Sequence, residues 1–352
     1  MFETLGFESL TAPQAAVWFA LFVGLAFGVL AQVTRFCFRR IIDGEDRKQA
    51  AGVWLTALAV AVLGTQAAVA QGWITFAEHR FMAEGLPILA IMAGGLMFGA
   101  GMILTRGCIS RLTVLTGTGN LRAALVLVVF AVVAHATLKG VLAPVRTGLG
   151  SVTLDVAPAL PGAGLVWAVI IALAAVAFAL RSGNRAGTLA LAGVLGALVP
   201  LAWVGTGFVL FDEFEPIAME SLSFTAPATE TLFYAVASTA VSPSFGLGLV
   251  GGVVLGALAA ALIRGQFAWQ SFESPRQTGR YMAGAALMGV GGVLAGGCTV
   301  GAGVSGIPTL SVAAILAIAS IGLGGWITRA ALNAATAEVD GSATTPTALP
   351  AE

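Results

Sequence analysis

Charged residues are scarce in this chain, at 10% of 352 residues where an ordinary soluble domain carries about 25%. From Tyr281 to Thr328 there is no Asp, Glu, Lys, Arg or His at all. A chain so poor in charge cannot cover a folded surface facing water, which excludes a soluble globular protein. The 17 basic residues balance 17 acidic ones, and no basic run is interleaved with aromatics, so a nucleic-acid partner is excluded too. Histidine occurs only as His79 and His135, both expected near the outer ends of spans, where neither can serve an embedded nucleophile as a base. Cysteine occurs three times, as Cys37, Cys108 and Cys298. An odd number without a C-x-x-C argues against a disulfide framework, a zinc site and a thioredoxin-like centre. No catalytic residue, metal or cofactor is expected. A cleavable leader is not expected either, because the first apolar run, 13–33, is too long and ends in Arg35.

What is abundant is apolar and small: 58% hydrophobic residues and 46 glycines. Helices of about 20 residues cross the ~30 Å hydrocarbon core. Uncharged runs of that length read as about nine spans: 13–34, 50–71, 86–105, 121–138, 163–180, 187–210, 245–263, 281–297 and 308–328. The short run 231–241, ahead of Ser242-Pro243-Ser244, reads as a half-helix. With the N-terminus outside, only Arg80, Lys139 and Arg146 of the 17 basic residues fall outside, so the positive-inside rule places the C-terminus inside. The expected fold is an all-α polytopic membrane protein with glycine-rich broken or re-entrant loops. It forms one transport domain over 1–352, with a first half-repeat at 1–145, connecting spans at 162–210, a second half-repeat at 231–330 and a disordered tail at 331–352.

The halves are suggested by a repeat. Placing Gly95–Cys108, GLMFGAGMILTRGC, over Ala285–Cys298 without a gap superposes Gly99 on Gly289, Gly101 on Gly291, Gly107 on Gly297 and Cys108 on Cys298. The two segments run in opposite directions through the expected topology, the pattern of inverted-repeat transporters whose sites lie at broken helices. A weaker likeness between Gly24–Phe36 and Gly252–Gly265 runs the same way twice, and the inverted repeat does not explain it. Most helix-borne glycines suit close helix contact. Gly296, Gly297, Gly301 and Gly303 crowd what reads as non-helical backbone, which survives at membrane depth only where it is packed in protein or lines a cavity.

Cys108 and Cys298 each follow a glycine at such a break. A buried thiol is a weak S–H donor with a polarizable sulfur, and it does not repel an anion. Backbone N–H groups at half-helix starts add fixed positive dipoles. Thr299 and Ser305 near Cys298, with Ser110 and Thr113 near Cys108, add hydroxyls. Such a path suits a small, polarizable anion. Cys37, beside Arg35, Arg39 and Arg40, reads equally well as a small buried hydrophobe.

The segments GAGMILTRGCISRLTVLTGTGNLRAALVL, GVGGVLAGGCTVGAGVSGIPTLSVAAILAIASIGLG and LAQVTRFCFRR resemble the YeeE/YedE family over most of the membrane region. The resemblance implies a bacterial inner-membrane protein of hourglass shape that imports thiosulfate, or a related small sulfur-containing ion, through a cysteine-lined constriction. The ion would pass by hydrogen bonding to sulfur, without covalent chemistry. It further implies Cys108 and Cys298 as the central pair, Cys37 as an inner relay position, and a separate TusA-like sulfur carrier on the cytoplasmic side. With Gly107, Gly297, Thr299 and Arg106 these cysteines form the expected substrate-binding set. The alternatives are a permease for another sulfur or selenium species, a membrane thiol-redox enzyme, and a structural subunit of a larger membrane complex.

Overall fold

The computed structural model describes residues 11–343, with side chains described through residue 335. The elements are helices α1 (Ala12–Thr34), α2 (Arg39–Asp43), α3 (Arg47–Ala70), α4 (Ile88–Leu104), α5 (Ile109–Gly117), α6 (Leu121–Lys139), α7 (Ala143–Gly150), α8 (Gly164–Leu180), α9 (Ala186–Val204), α10 (Thr225–Ala237), α11 (Phe245–Ile263), α12 (Pro275–Leu294) and α13 (Val312–Ala343). Among the described residues eight helical segments are long and apolar enough to cross a membrane. A further apolar helix, α8, is 17 residues long, the lower limit for a span, so the segments expected from hydropathy all form helices. The chain is a polytopic α-helical membrane protein.

Two departures from the sequence reading concern helix ends. The tail expected to be disordered from 331 continues α13 to Ala343, because Ala330–Ala337 offers strong helix formers and no Gly or Pro; residues 344–352 lie outside the described residues. The segment after Cys298 is not irregular. Thr299–Gly306 winds as a π-helix and Ile307–Thr309 as a 3₁₀ turn, so Gly301 and Gly303 lie in helical backbone. These turns keep the main-chain groups paired at depth, helped by Gln66, whose side-chain amide donates to the Pro308 carbonyl at 2.7 Å.

Glycine sets the helix contacts. A Cβ on Gly291 would lie 2.5 Å from the Gly94 carbonyl oxygen, and Gly94 in turn abuts Ala295 and Gly291. Gly101 and Gly284 abut each other in the same way. Gly94 therefore meets Gly291 while Gly101 meets Gly284, so α4 and α12 pack antiparallel. The aligned glycines exchange partners, as a two-fold relation between the repeated segments requires. The repeat also extends upstream of its recognised start, since Met92-Ala93-Gly94 matches Met282-Ala283-Gly284.

The weaker likeness acquires a physical account as well. Gly24 abuts Leu249 and Gly28 abuts Val253, while Gly248, Gly252 and Gly256 abut Val17, Leu21 and Leu25. The numbers rise together, so α1 and α11 are parallel. Each presents the same small-xxx-small stripe to the other.

Candidate functional site

Each cysteine lies two residues after a left-handed backbone position. Arg35 (φ 53°) precedes Cys37, Arg106 (φ 58°) precedes Cys108, and Gly296 (φ 72°) precedes Cys298. The cause is local. At the end of α4 the Arg106 N–H bonds the Ile103 carbonyl and the Gly107 N–H bonds that of Met102, the paired closure of a helix C-terminus that needs one left-handed residue. The chain then turns away in extended conformation, and Cys108 becomes the N-cap of α5. Cys298 likewise caps the π-helical segment, its sulfur accepting the Gly301 N–H at 3.3 Å. Thr105 stitches the first break together, its hydroxyl 2.8 Å from the Gly101 carbonyl and 3.0 Å from that of Gly107.

These breaks converge. All three thiols are free, buried and part of one core cluster. Cys37 and Cys108 are neighbours, close enough to act on each other electrostatically. Cys108 also sits 3.3 Å from the Ser110 hydroxyl and beside that of Thr299. The Thr299 hydroxyl is buried without a well-formed hydrogen bond, and Cys298 lies near Cys108. Gly107 and Gly297 are confined: a Cβ would lie 3.2 Å from Leu112 and 3.0 Å from the Ala302 nitrogen. Two of the expected hydroxyl donors are already committed to backbone. Ser305 donates to Leu222 O and Thr113 to Ile109 O, which leaves Ser110 and Thr299.

Beyond the thiols, the two ends of the molecule differ. Toward the loop holding Glu220 opens a cavity of about 970 Å³, and Gly301 and Ser305 of the π-helical segment contribute to its wall. Arg80 and Glu220 line it as well. Burial, with Glu230 adding to it and Arg80 opposing it, pushes the Glu220 carboxyl up to about 7. His79, in the same wall, is pushed down to about 4 by burial and by Arg80.

At the arginine-rich end, Arg40 holds the Arg35 carbonyl at 2.6 Å and pairs with Asp46, which fixes the turn leading to Cys37. Arg329 reaches Asp43 at 3.4 Å, tying α13 to α2. Arg106 is exposed there and lines a pocket of about 280 Å³ with Arg39, Asp43, Arg280 and Arg329. It is not among the residues gathered around the sulfurs.

The cation close to the thiols is Arg111. Among the described residues it forms no ion pair; it bonds Ala31 O at 3.4 Å and Gln32 Oε1 at 3.3 Å, and it acts electrostatically on both Cys37 and Cys108. Sequence reasoning counted Arg111 only as an inward-facing charge. The signal was available in the repeat, where Arg111 falls on Gly301, so that one break carries a guanidinium where the other leaves room.

Two comparisons with known proteins give matches over most of the chain. The thiosulfate transporter TsuA of Spirochaeta thermophila is 26% identical over 337 residues, covering 88% of this chain and 97% of that protein. The family profile described as Sulphur transport matches residues 33–327, a stretch that contains all three cysteines and both glycine breaks. The chain therefore belongs to the sulphur-transport family, the YeeE/YedE family of membrane proteins.

Proposed function

We propose that this protein imports thiosulfate, or a closely related sulfur anion, across the bacterial inner membrane, handing it from Cys298 to Cys108 to Cys37. The observation that carries this reading is that Cys108, buried like the other two cysteines of the sequence, has Cys37 and Cys298, each from a break far away in the chain, as its neighbours. A scattered set of structural cysteines would have no reason to meet.

The chemistry follows from the groups present. The thiols and the Ser110 and Thr299 hydroxyls donate to an anion without adding charge, while Arg111 supplies a positive field on the Cys37 side. Gly107 and Gly297 keep side chains out of the narrowest turns. Arg106 acts in this reading as a charge at the inner rim. The thiols are closed off from the cavity, none of them lining it, so passage requires the breaks to shift. The two cysteine breaks act as equivalents in an inverted repeat, with the arginine-rich end inside. A separate TusA-like carrier would receive sulfur there.

Uptake of labelled thiosulfate into vesicles holding the purified protein tests the function. Thiosulfate is expected to enter well above the level of empty vesicles, and labelled sulfate offered alone to be carried about tenfold more slowly. Sulfate lacks the soft terminal sulfur, and a difference of that size corresponds to one modest contact. Equal flux of the two anions, or none of either, would refute the proposal.

A further inference from the structure

The cavity at the Glu220 end contains more than an entrance requires. Arg80 is exposed to it and, among the described residues, forms no ion pair; the Phe81 ring lies 5.1 Å from its guanidinium. Trp203 also lines the cavity, is 2% exposed, and has an indole N–H without a partner. His79 accepts the Phe81 N–H on Nδ1 at 3.3 Å, so its proton resides on Nε2 and the neutral ring is a donor. The His79 and Trp203 rings are 5.1 Å apart beside Arg80, so a guanidinium and two N–H donors share one wall of the cavity, the chemistry that holds a small oxyanion.

We propose that this cavity is a first anion-binding site, in which Arg80, Trp203 and His79 hold a small dianion and Glu220 opposes it until Glu220 takes up a proton. The site rests on the transport reading for its purpose but not for its chemistry. Its donors are N–H groups and a cation, so it should hold sulfate and thiosulfate alike, and discrimination is left to the thiols.

Glu220 is built to be the competitor. Its backbone is pinned by Thr206, whose hydroxyl accepts the Glu220 N–H at 2.9 Å and lies 2.8 Å from the Glu220 carbonyl, while among the described residues the carboxylate makes no hydrogen bond. The charged and titratable groups facing it are Arg80, which opens a short 3₁₀ turn (Arg80–Met82), His79, which caps that turn, Glu78 beside them in the cavity wall, and Glu230 from α10. Asp212, Glu213 and Glu215, earlier in the same loop, do not line the cavity. His79 titrates near 4 and so stays neutral above pH 6. Ionised Glu220 repels a dianion and draws on the field of Arg80; protonation removes both effects. With a carboxyl that titrates near 7, the neutral form falls from about ten-elevenths at pH 6 to about one-eleventh at pH 8. If only that form binds, the apparent affinity falls about tenfold across the interval. By linkage, anion binding draws in a proton.

The test is calorimetric titration of sulfate and of thiosulfate into the protein in nanodiscs at pH 6 and pH 8, in a Cys108→Ala/Cys298→Ala background that leaves only this cavity to bind. Both anions are expected to bind about tenfold more tightly at pH 6. Glu220→Gln should bind with the acidic affinity at both pH values, and Arg80→Gln should weaken binding at both. Proton-linked binding that persists where thiosulfate uptake by the wild type is absent would support this site and break the transport reading. Cysteine-dependent uptake together with absent or pH-independent anion binding, equal in the parent and in Glu220→Gln, would overturn the site and leave the transport reading intact.

Discussion

Gly291→Val is expected to yield little or no folded protein. The position is where α12 meets α4, and a Cβ there already lies 2.5 Å from both the Gly94 carbonyl oxygen and the Phe98 nitrogen. Those neighbours are backbone, so no side chain can swing aside, and the helices must separate along a contact that also seats Gly101 against Gly284. Overpacking of a tight core costs about 1–3 kcal/mol for small additions, and two further methyl groups on a rigid interface exceed that. Total stability is only about 5–15 kcal/mol. Gly279→Ala, in the same helix but with open space around its Cβ, should instead gain about 0.5–1 kcal/mol from better helix propensity. Thermal unfolding and size-exclusion profiles in detergent separate the two outcomes. A Gly291→Val protein that is monodisperse and melts with the wild type would show that this contact does not set the packing.

The second large effect is on flux. Cys108→Ala is expected to lower thiosulfate uptake about tenfold to a hundredfold while the protein remains folded. Cys108 is the middle thiol of the series, with Cys37, Cys298 and the Thr299 hydroxyl all nearby. A hydrogen bond to a buried charge contributes about 1.5–3 kcal/mol, and alanine offers nothing in its place. Cys108→Ser keeps a donor at nearly the same point but loses the soft sulfur, so it should retain more activity than the alanine variant. That order separates hydrogen-bonded passage from a covalent relay, in which serine and alanine would be equally inactive.

How much of this was legible in the sequence depends on how local the cause is. The spans follow from runs without charge, which is why α1, α4 and α11 begin within a few residues of where hydropathy places them. The cysteine breaks were legible because glycine before cysteine recurs at matching positions. Arg106 in the left-handed position was not, since arginine carries no signal for that conformation; only its alignment with Gly296 reveals it. The π-helical winding after Cys298 was hidden for a related reason. Four glycines suggest irregular backbone, yet only Gly296 is left-handed, while Gly303 lies against Trp54 and Gly301 against Ser223. The meeting of Cys37 with Cys108, and the cavity formed by Arg80, Trp203 and Glu220, depend on which helices lie side by side, and no local pattern encodes that. Residues such as Glu220 look in sequence like one more acid in an exposed loop.

The most direct measurement is a structure of the wild-type protein in nanodiscs with thiosulfate bound. Density for the anion within hydrogen-bonding distance of the Cys108 and Cys298 sulfurs, its terminal sulfur toward the thiols, is the predicted result. An anion found crossing the protein elsewhere, with none near the three sulfhydryls, would contradict it.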